Sequence, residues 1–319
     1  MARRARVEYP GALYHVITRG NQRQRIFRDD RDREKYLEIL SSLKTQFLFR
    51  IPAYVLMPNH VHLLVESGEV PLSRMMQRLG SGYTQYFNRR HKQVGHLFQG
   101  RYRAILCDKD SYLLELTRYL HLNAVRAKLV KDPEEYKWSS YGGYVGKTQE
   151  RKWLDSAAVL EQFSGNRSEA RLLYRRFIWE GIGEGHKEEY YDVLEGRFLG
   201  DKEFAEQTKA KTEDSGYVRM KIRPEALLRA ACAVLRRKRA EVMGAGKDRE
   251  RVRAREAICY VGRYHTELSV TSLAKSLGVD GTCVSRSVAR MESRLQVDKE
   301  FKKIIDEIVS ALENSTHHA

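Results

Sequence analysis

To about Lys147, the apolar residues of this chain follow two different spacings. Ala12 to Thr18 is an apolar run ended by Arg19-Gly20-Asn21, which predicts a strand. From Asp29 to Phe49 the positions Tyr36, Leu37, Leu40, Leu43 and Phe47 recur at the spacing of one helix face. Arg50 to Leu56 and His60 to Glu66 are two more strand-like runs, separated by Pro58-Asn59 in what resembles a hairpin. Helical spacing returns over Leu72 to Arg90, with Met75, Met76, Leu79, Tyr83 and Phe87 on one side. A short strand follows at Tyr102 to Cys107, and then a helix over Ser111 to Ala127 carrying Leu113, Leu116, Leu120 and Leu122. The order β-α-β-β-α-β-α predicts an α+β fold, a ferredoxin-like split βαβ with an added helix.

Beyond Trp153 the pattern turns helical and aromatic, with Tyr174, Phe177 and Trp179, and is interrupted by glycines. It reads as a connector without chemistry of its own. Lys209 to Tyr217 is polar and is the expected linker. The last region is densely basic, with Arg236-Arg237-Lys238-Arg239 and then Arg249, Arg251, Arg253 and Arg255. Three helical segments are expected there, Ala254 to Tyr264, Ser269 to Leu277 and Thr282 to Leu295. Between the last two, Gly278 suits the positive φ of a helix C-cap and Asp280 is placed to cap the next helix. That is helix-turn-helix spacing. The expected organisation is a first domain over 1–150, a helical connector over 151–217 and an all-α domain over 218–319.

Charge changes the picture more than composition does. Among 319 residues, 58 are Lys or Arg and 42 are Asp or Glu, a net charge of +16 that asks for a polyanionic partner, with nucleic acid the first candidate. A solubilising surface is the plainer alternative. The mean hydropathy of −0.59 and the absence of any long apolar run lead us to expect a soluble protein with no membrane partner; single cysteines suit a reducing cytoplasm and a nucleic-acid partner a nucleoid-associated protein. Four cysteines stand singly, without a Cys-x-x-Cys pair, which excludes a zinc ribbon and argues for free thiols.

Two constellations carry chemistry. In Met57-Pro58-Asn59-His60-Val61-His62-Leu63-Leu64-Val65, His60 and His62 are two apart on a strand and face the same side. Such a pair can hold one divalent cation and leave positions open for a phosphate oxygen. Two histidines that merely share a sheet face would give the same pattern. In the helix Leu116 to Arg126, Tyr119 and Asn123 are four apart and stack on one face. A tyrosine beside a metal site can attack a phosphodiester, and Asn123 could complete the metal shell through its carbonyl. Taken alone, one of 18 tyrosines is as readily a packing residue.

Four stretches taken together resemble the HUH-type single-tyrosine transposases, and within them the REP-associated tyrosine transposases. They are Tyr14-His15-Val16-Ile17-Thr18-Arg19-Gly20-Asn21, the Met57 to Val65 segment, Phe98-Gln99-Gly100-Arg101-Tyr102-Arg103, and Arg118-Tyr119-Leu120-His121-Leu122-Asn123-Ala124-Val125-Arg126-Ala127. The resemblance implies a ferredoxin-like nuclease that cuts and rejoins single-stranded DNA near short palindromes. His60 and His62 would hold Mg²⁺ or Mn²⁺, and Tyr119 would form a 5′-phosphotyrosine while freeing a 3′-OH. Related insertion-sequence enzymes have glutamine four residues after the tyrosine, whereas Asn123 is one methylene shorter; water or another side chain is the alternative third ligand. Arg19, Asn21, Arg101, Arg103, Arg118 and Arg126 are the expected DNA contacts of this domain, with helix-surface charges the alternative for Arg118 and Arg126.

The basic region resembles the DNA-binding domain of the replication initiator DnaA, through Ala254-Arg255-Glu256-Ala257, Leu268-Ser269-Val270 and Asp280-Gly281-Thr282-Cys283-Val284. That family has histidine and threonine where this chain has Gly281 and Cys283, so the fold is expected to carry over and the base specificity is not. Arg255 would touch phosphate or minor groove, and Thr282, Ser285 and Arg286 would face the major groove. The expected partners are single-stranded or hairpin DNA for the first domain and duplex for the last, with the oligomeric state open. The alternative is a catalytically silent regulator that recognises palindromic DNA.

Overall fold

The computed structural model describes residues 7–183, 193–194, 196–214, 220–244, 246, 248–295 and 298–316. It divides into two compact units, Met1–Lys211 and Thr212–Ala319.

In the first unit β1 (Leu13–Arg19) is followed by α1 (Asp30–Phe47), β2 (Tyr54–Met57), β3 (His60–Glu66), α2 (Leu72–His91), β4 (Arg103–Cys107), α3 (Lys109–His121) and α4 (Asn123–Arg126). Three short or medium helices come next, α5 (Tyr141–Tyr144), α6 (Ala157–Leu160) and α7 (Arg167–Glu180), and then β5 (Phe198–Leu199) and α8 (Lys202–Asp214). Local chemistry sets several of these ends. The Asp29 carboxylate accepts from Asp32 N at the start of α1, and Leu48 stops that helix in the left-handed region. Asp108 caps α3 in the same way through Asp110 N.

The sheet order is β2-β3-β1-β4-β5 among the described residues. Its first four strands are antiparallel and have the split βαβ arrangement that the hydrophobic spacing predicts. The fifth strand was not expected. Residues assigned to a connector place Phe198 and Leu199 parallel to Leu106 and Cys107, covering the free edge of β4. The two sheet faces bury different partners. Val16, Val61, Leu63 and Leu106 pack with Leu37 and Leu40 of α1 and Met75, Leu79 and Tyr83 of α2. Leu13, Val55, Leu64 and Ile105 pack with Leu113, Leu116 and Leu120 of α3, and with Tyr174 and Ile178 of α7. Tyr174 and Ile178 of the expected connector are therefore core of the first unit, with Phe177 packed against them and Trp179 exposed, and the expected linker is helical through Asp214, as the end of α8; Ser215 to Tyr217 lie outside the described residues.

The helix expected over Ser111 to Ala127 is also divided. At Leu122 ψ opens to 0°, ending α3 and starting α4. The Tyr119 carbonyl accepts a hydrogen bond from Arg126 Nη1 at 3.1 Å across this break.

The second unit is all-helical among its described residues: α9 (Pro224–Val234), α10 (Arg239–Val242), α11 (Arg249–Tyr264), α12 (Val270–Leu277), α13 (Gly281–Arg294) and α14 (Lys299–Thr316). Helix α11 begins earlier than its apolar spacing indicates because Asp248 caps it through Arg251 N at 2.9 Å. Gly278 has φ +66°, and Asp280 accepts from Cys283 N at 2.6 Å, as their residue types require. Glu256 of α11 is 1% exposed and pairs with Arg290 and Arg294 of α13 at 3.1 and 2.7 Å. Among the described residues no helix is long and apolar enough to cross a membrane.

Helices α1 and α2 are joined by a buried charge. Asp32 accepts from His91 Nε2 at 3.0 Å and from Arg28 N at 2.8 Å, and it pairs with Arg90. Asp32→Ala leaves these donors without their acceptor. It is expected to cost about 2–3 kcal/mol, less than for a wholly buried pair because Arg90 reaches solvent. The midpoint shift in urea denaturation measures it.

Candidate active site

Antiparallel register brings three histidines to one place. Arg19 faces His60 and Ile17 faces His62 across β1 and β3, and period-2 alternation puts His15, Ile17 and Arg19 on the same sheet face as His60 and His62. That face lies under α3. The rings of His60 and His62 are 5.0 Å apart between centroids, and His15 stacks on His62 at 5.1 Å. Tyr119 descends from α3 onto this group, 6.1 Å from His62 and 5.8 Å from His15, with its ring edge-on to both.

The hydrogen bonds assign roles to the ring nitrogens. Asn59 Nδ2 donates to the Arg23 carbonyl at 3.2 Å, which turns its Oδ1 toward His60. His60 Nδ1 therefore donates to Asn59 Oδ1 at 2.6 Å, and its Nε2 carries the lone pair. His62 Nδ1 shares a hydrogen bond with His15 Nε2 at 2.8 Å. When His62 donates, its Nε2 also carries a lone pair. Ligand imidazoles characteristically have the other nitrogen held in this way.

Burial keeps the group neutral. It lowers the pKa of His15 to about 3, with a further contribution from the charge of Arg103. It lowers that of His60 to about 4, with a contribution from Arg19. His62 lies well below its ordinary value for the same reason, aided by His15, His60 and Arg19. At neutral pH the imidazoles are uncharged donors of lone pairs, and the positive charge comes from Arg19 and Arg103. Two neutral imidazoles, each able to offer Nε2, have the donor chemistry that a divalent cation takes. Among the described residues no set of three or more His, Cys, Asp or Glu side chains is arranged to hold a metal ion. His60 and His62 would supply two ligands, and no hydrogen bond or ring contact joins Asn123 to either of them among those residues.

The loop after β1 closes this end of the sheet. Gly20 N donates to Asn59 O and Asn21 N to Leu97 O, both at 2.8 Å. A Cβ on Gly20 would lie 2.2 Å from the Gln24 carbonyl, so only glycine fits. Gln22 and Arg23 follow with φ of 49° and 59°.

The candidate arginines have different fates. Arg19, Arg101 and Arg103 are exposed. Arg118 is a correction: its guanidinium lies 4.4 Å above the Phe177 ring and bonds both Glu115 oxygens at 2.9 and 2.7 Å, so it joins α3 to α7. Arg126 covers the Tyr119 ring at 5.0 Å while holding the Tyr119 carbonyl, which makes it a clamp on that residue. Arg255 is a second correction. It is 5% exposed, with Nη1 on the Gly244 carbonyl and Nη2 on the Gly246 carbonyl at 2.6 Å, and it anchors the turn before α11. Thr282, Ser285 and Arg286 are exposed on α13.

His121, two residues beyond Tyr119, belongs to the core. Tyr174 donates to its Nδ1 and its Nε2–H reaches Ser140 Oγ, both at 2.7 Å, and Ser140 donates to the Tyr54 carbonyl at 3.2 Å. Burial lowers its pKa to about 3, consistent with this neutral pattern. His15 is the site residue that residue-level reading missed. A single histidine in an apolar strand resembles a core residue, and only the register with β3 places it on His62.

Residues 9–123 match the family model of the IS200-like transposases. This IS200-like segment holds β1 through Asn123, and so includes His15, His60, His62 and Tyr119. Over 90 residues the chain is 33% identical to the chromosomal replication initiator protein DnaA of Thermomicrobium roseum, a match covering 28% of this chain. The chain spans 19% of the length of that relative. Among solved structures, that of a REP-associated tyrosine transposase bound to a REP hairpin is 17% identical with a TM-score of 0.40, covering 46% of this chain and 87% of its own.

Arg255→Ala would leave the Gly244 and Gly246 carbonyls without their donor. It is expected to lower the stability of the second unit by about 1–3 kcal/mol, read as a shift in chemical denaturation.

Proposed function

We propose that the chain is a DNA-processing transposase whose first unit cuts and rejoins single-stranded DNA near short palindromes. The observation that carries this reading is one juxtaposition: Tyr119 packs on the paired rings of His15 and His62, beside His60, inside the IS200-like segment. The Tyr119 oxygen would attack a phosphorus as the bond to the 3′ oxygen breaks. The phenolic proton passes to the departing oxygen, giving a 5′-phosphotyrosine and a 3′-OH. The bond energy is kept for rejoining. Mg²⁺ or Mn²⁺ held by His60 and His62 would neutralise charge on the phosphate oxygens. Asn59 and His15 orient the two imidazoles, and Arg126 holds the tyrosine ring. Tyr119 is 2% exposed, so DNA entry must uncover its hydroxyl.

That burial is also the observation behind a second reading, a regulator that binds palindromic DNA without cutting it. Labelled single strands covering the palindromes that flank the gene separate the two. With Mg²⁺ or Mn²⁺, wild type is expected to form a covalent adduct on denaturing gels, lost in Tyr119→Phe and with EDTA. Binding without an adduct on every strand would leave the regulator.

Metal support by His15 has its own expectation. His15→Ala should weaken Mn²⁺ binding by about 10–100-fold, as loss of an outer-shell partner does elsewhere. Titration calorimetry reads this without DNA, and unchanged affinity would remove His15 from that role.

For the second unit we propose duplex binding, with α13 presenting Thr282, Ser285 and Arg286 to the major groove and the surrounding basic residues on phosphate. Arg286→Ala is expected to cost about 1–3 kcal/mol of specific duplex affinity while leaving the adduct on single strands unchanged. Equal loss of both activities would refute this division of labour.

A further inference from the structure

A groove of about 760 Å³ runs along α2 on the sheet face opposite the histidines. One wall is the outer side of α2, where Gln77 and Gln85 are exposed on either side of Gly80. The other wall is the segment before β4, with Phe98 and Tyr102 as aromatic surfaces and Arg101 exposed at the rim. Thr18 closes it at the end of β1. None of the lining residues is acidic.

Position ties this groove to the candidate active site. Thr18 and Arg19 are consecutive on β1, and successive side chains of a strand point to opposite faces. Thr18 lines the groove, while Arg19 pairs with His60 on the other face. The bridge between Gly20 and Phe98 fixes the groove wall to the same strand end. A single strand with one phosphate at the histidines therefore meets the groove on turning around the end of β1.

We propose that this groove takes unpaired bases of the DNA strand next to the reacting phosphate. Phe98 and Tyr102 offer π faces on which a base stacks, whatever its identity. Gln77 and Gln85 carry both donors and acceptors, the chemistry that reads a base edge. Arg101 takes a backbone phosphate. The ligand class rests on the single-strand reading above; the location and the base-reading side chains come from the groove itself.

Gly80 supplies a variant that tests the groove without threatening the fold. A Cβ there meets nothing within 4 Å, and replacing a mid-helix glycine favours the helix. Gly80→Leu should keep the thermal midpoint and fill the groove. The probe is the full chain with an oligothymidylate about twenty nucleotides long carrying 5-iodouracil, a length that exceeds one binding site. Ultraviolet cross-links are expected to map to residues 96–102, and Gly80→Leu should weaken binding about tenfold, as loss of one stacked base does. Undiminished binding by Gly80→Leu, or cross-links confined to other segments, would overturn the groove whether or not Tyr119 forms its adduct. Weakened binding by Gly80→Leu in a wild type that forms no Tyr119 adduct would keep the groove and remove the nuclease. A wild type that binds no single strand would overturn both.

Discussion

Antiparallel pairing of β1 with β3, with Arg19 opposite His60 and Ile17 opposite His62, is the constraint on which the candidate active site depends. Side chains alternate with a period of two, so a slip of one residue between β1 and β3 would turn the side chains of one strand to the other face and part His15 from His60 and His62. Neighbours hold the register from both sides. Val16, Val61 and Leu63 need the α1 and α2 face, and Leu13 and Leu64 need the α3 face. Hydrophobic burial on two faces thus fixes the place of three polar rings.

Once those rings are placed, burial decides their charge. Imidazoles withdrawn from water stay neutral, and each has a partner on Nδ1 or Nε2 that orients it. The positive charge needed near a phosphate is left to arginine, which remains ionised wherever it sits. The chain uses arginine in two distinct ways. Arg19, Arg101 and Arg103 stand at the surface near the site or the groove, while Arg118, Arg126 and Arg255 spend their guanidinium groups on carboxylate, carbonyl or aromatic partners inside the fold. A net charge of +16 therefore overstates the surface available to a polyanion.

The second unit follows the same logic on a helical frame. Glu256, buried between α11 and α13, takes Arg290 and Arg294, and Arg255 secures the preceding turn. Adjacent residues in sequence thus both serve packing. Thr282, Ser285 and Arg286 are exposed on α13 and take no part in that packing.

Much of this was legible in the chain itself. The order of elements, the shared face of His60 and His62, Gly278 at positive φ and Asp280 as a cap follow from local rules of spacing and backbone geometry, which act over a few residues. What those rules cannot reach is contact between distant segments. That His15 lies on His62, that Phe198 and Leu199 extend the sheet, that Arg126 covers Tyr119 across a break at Leu122, and that Arg118 and Arg255 are packing residues were decided by tertiary structure. The physical reason is that charge and hydrogen-bonding capacity belong to a residue type, whereas the partner that consumes them is supplied by whatever the fold packs alongside.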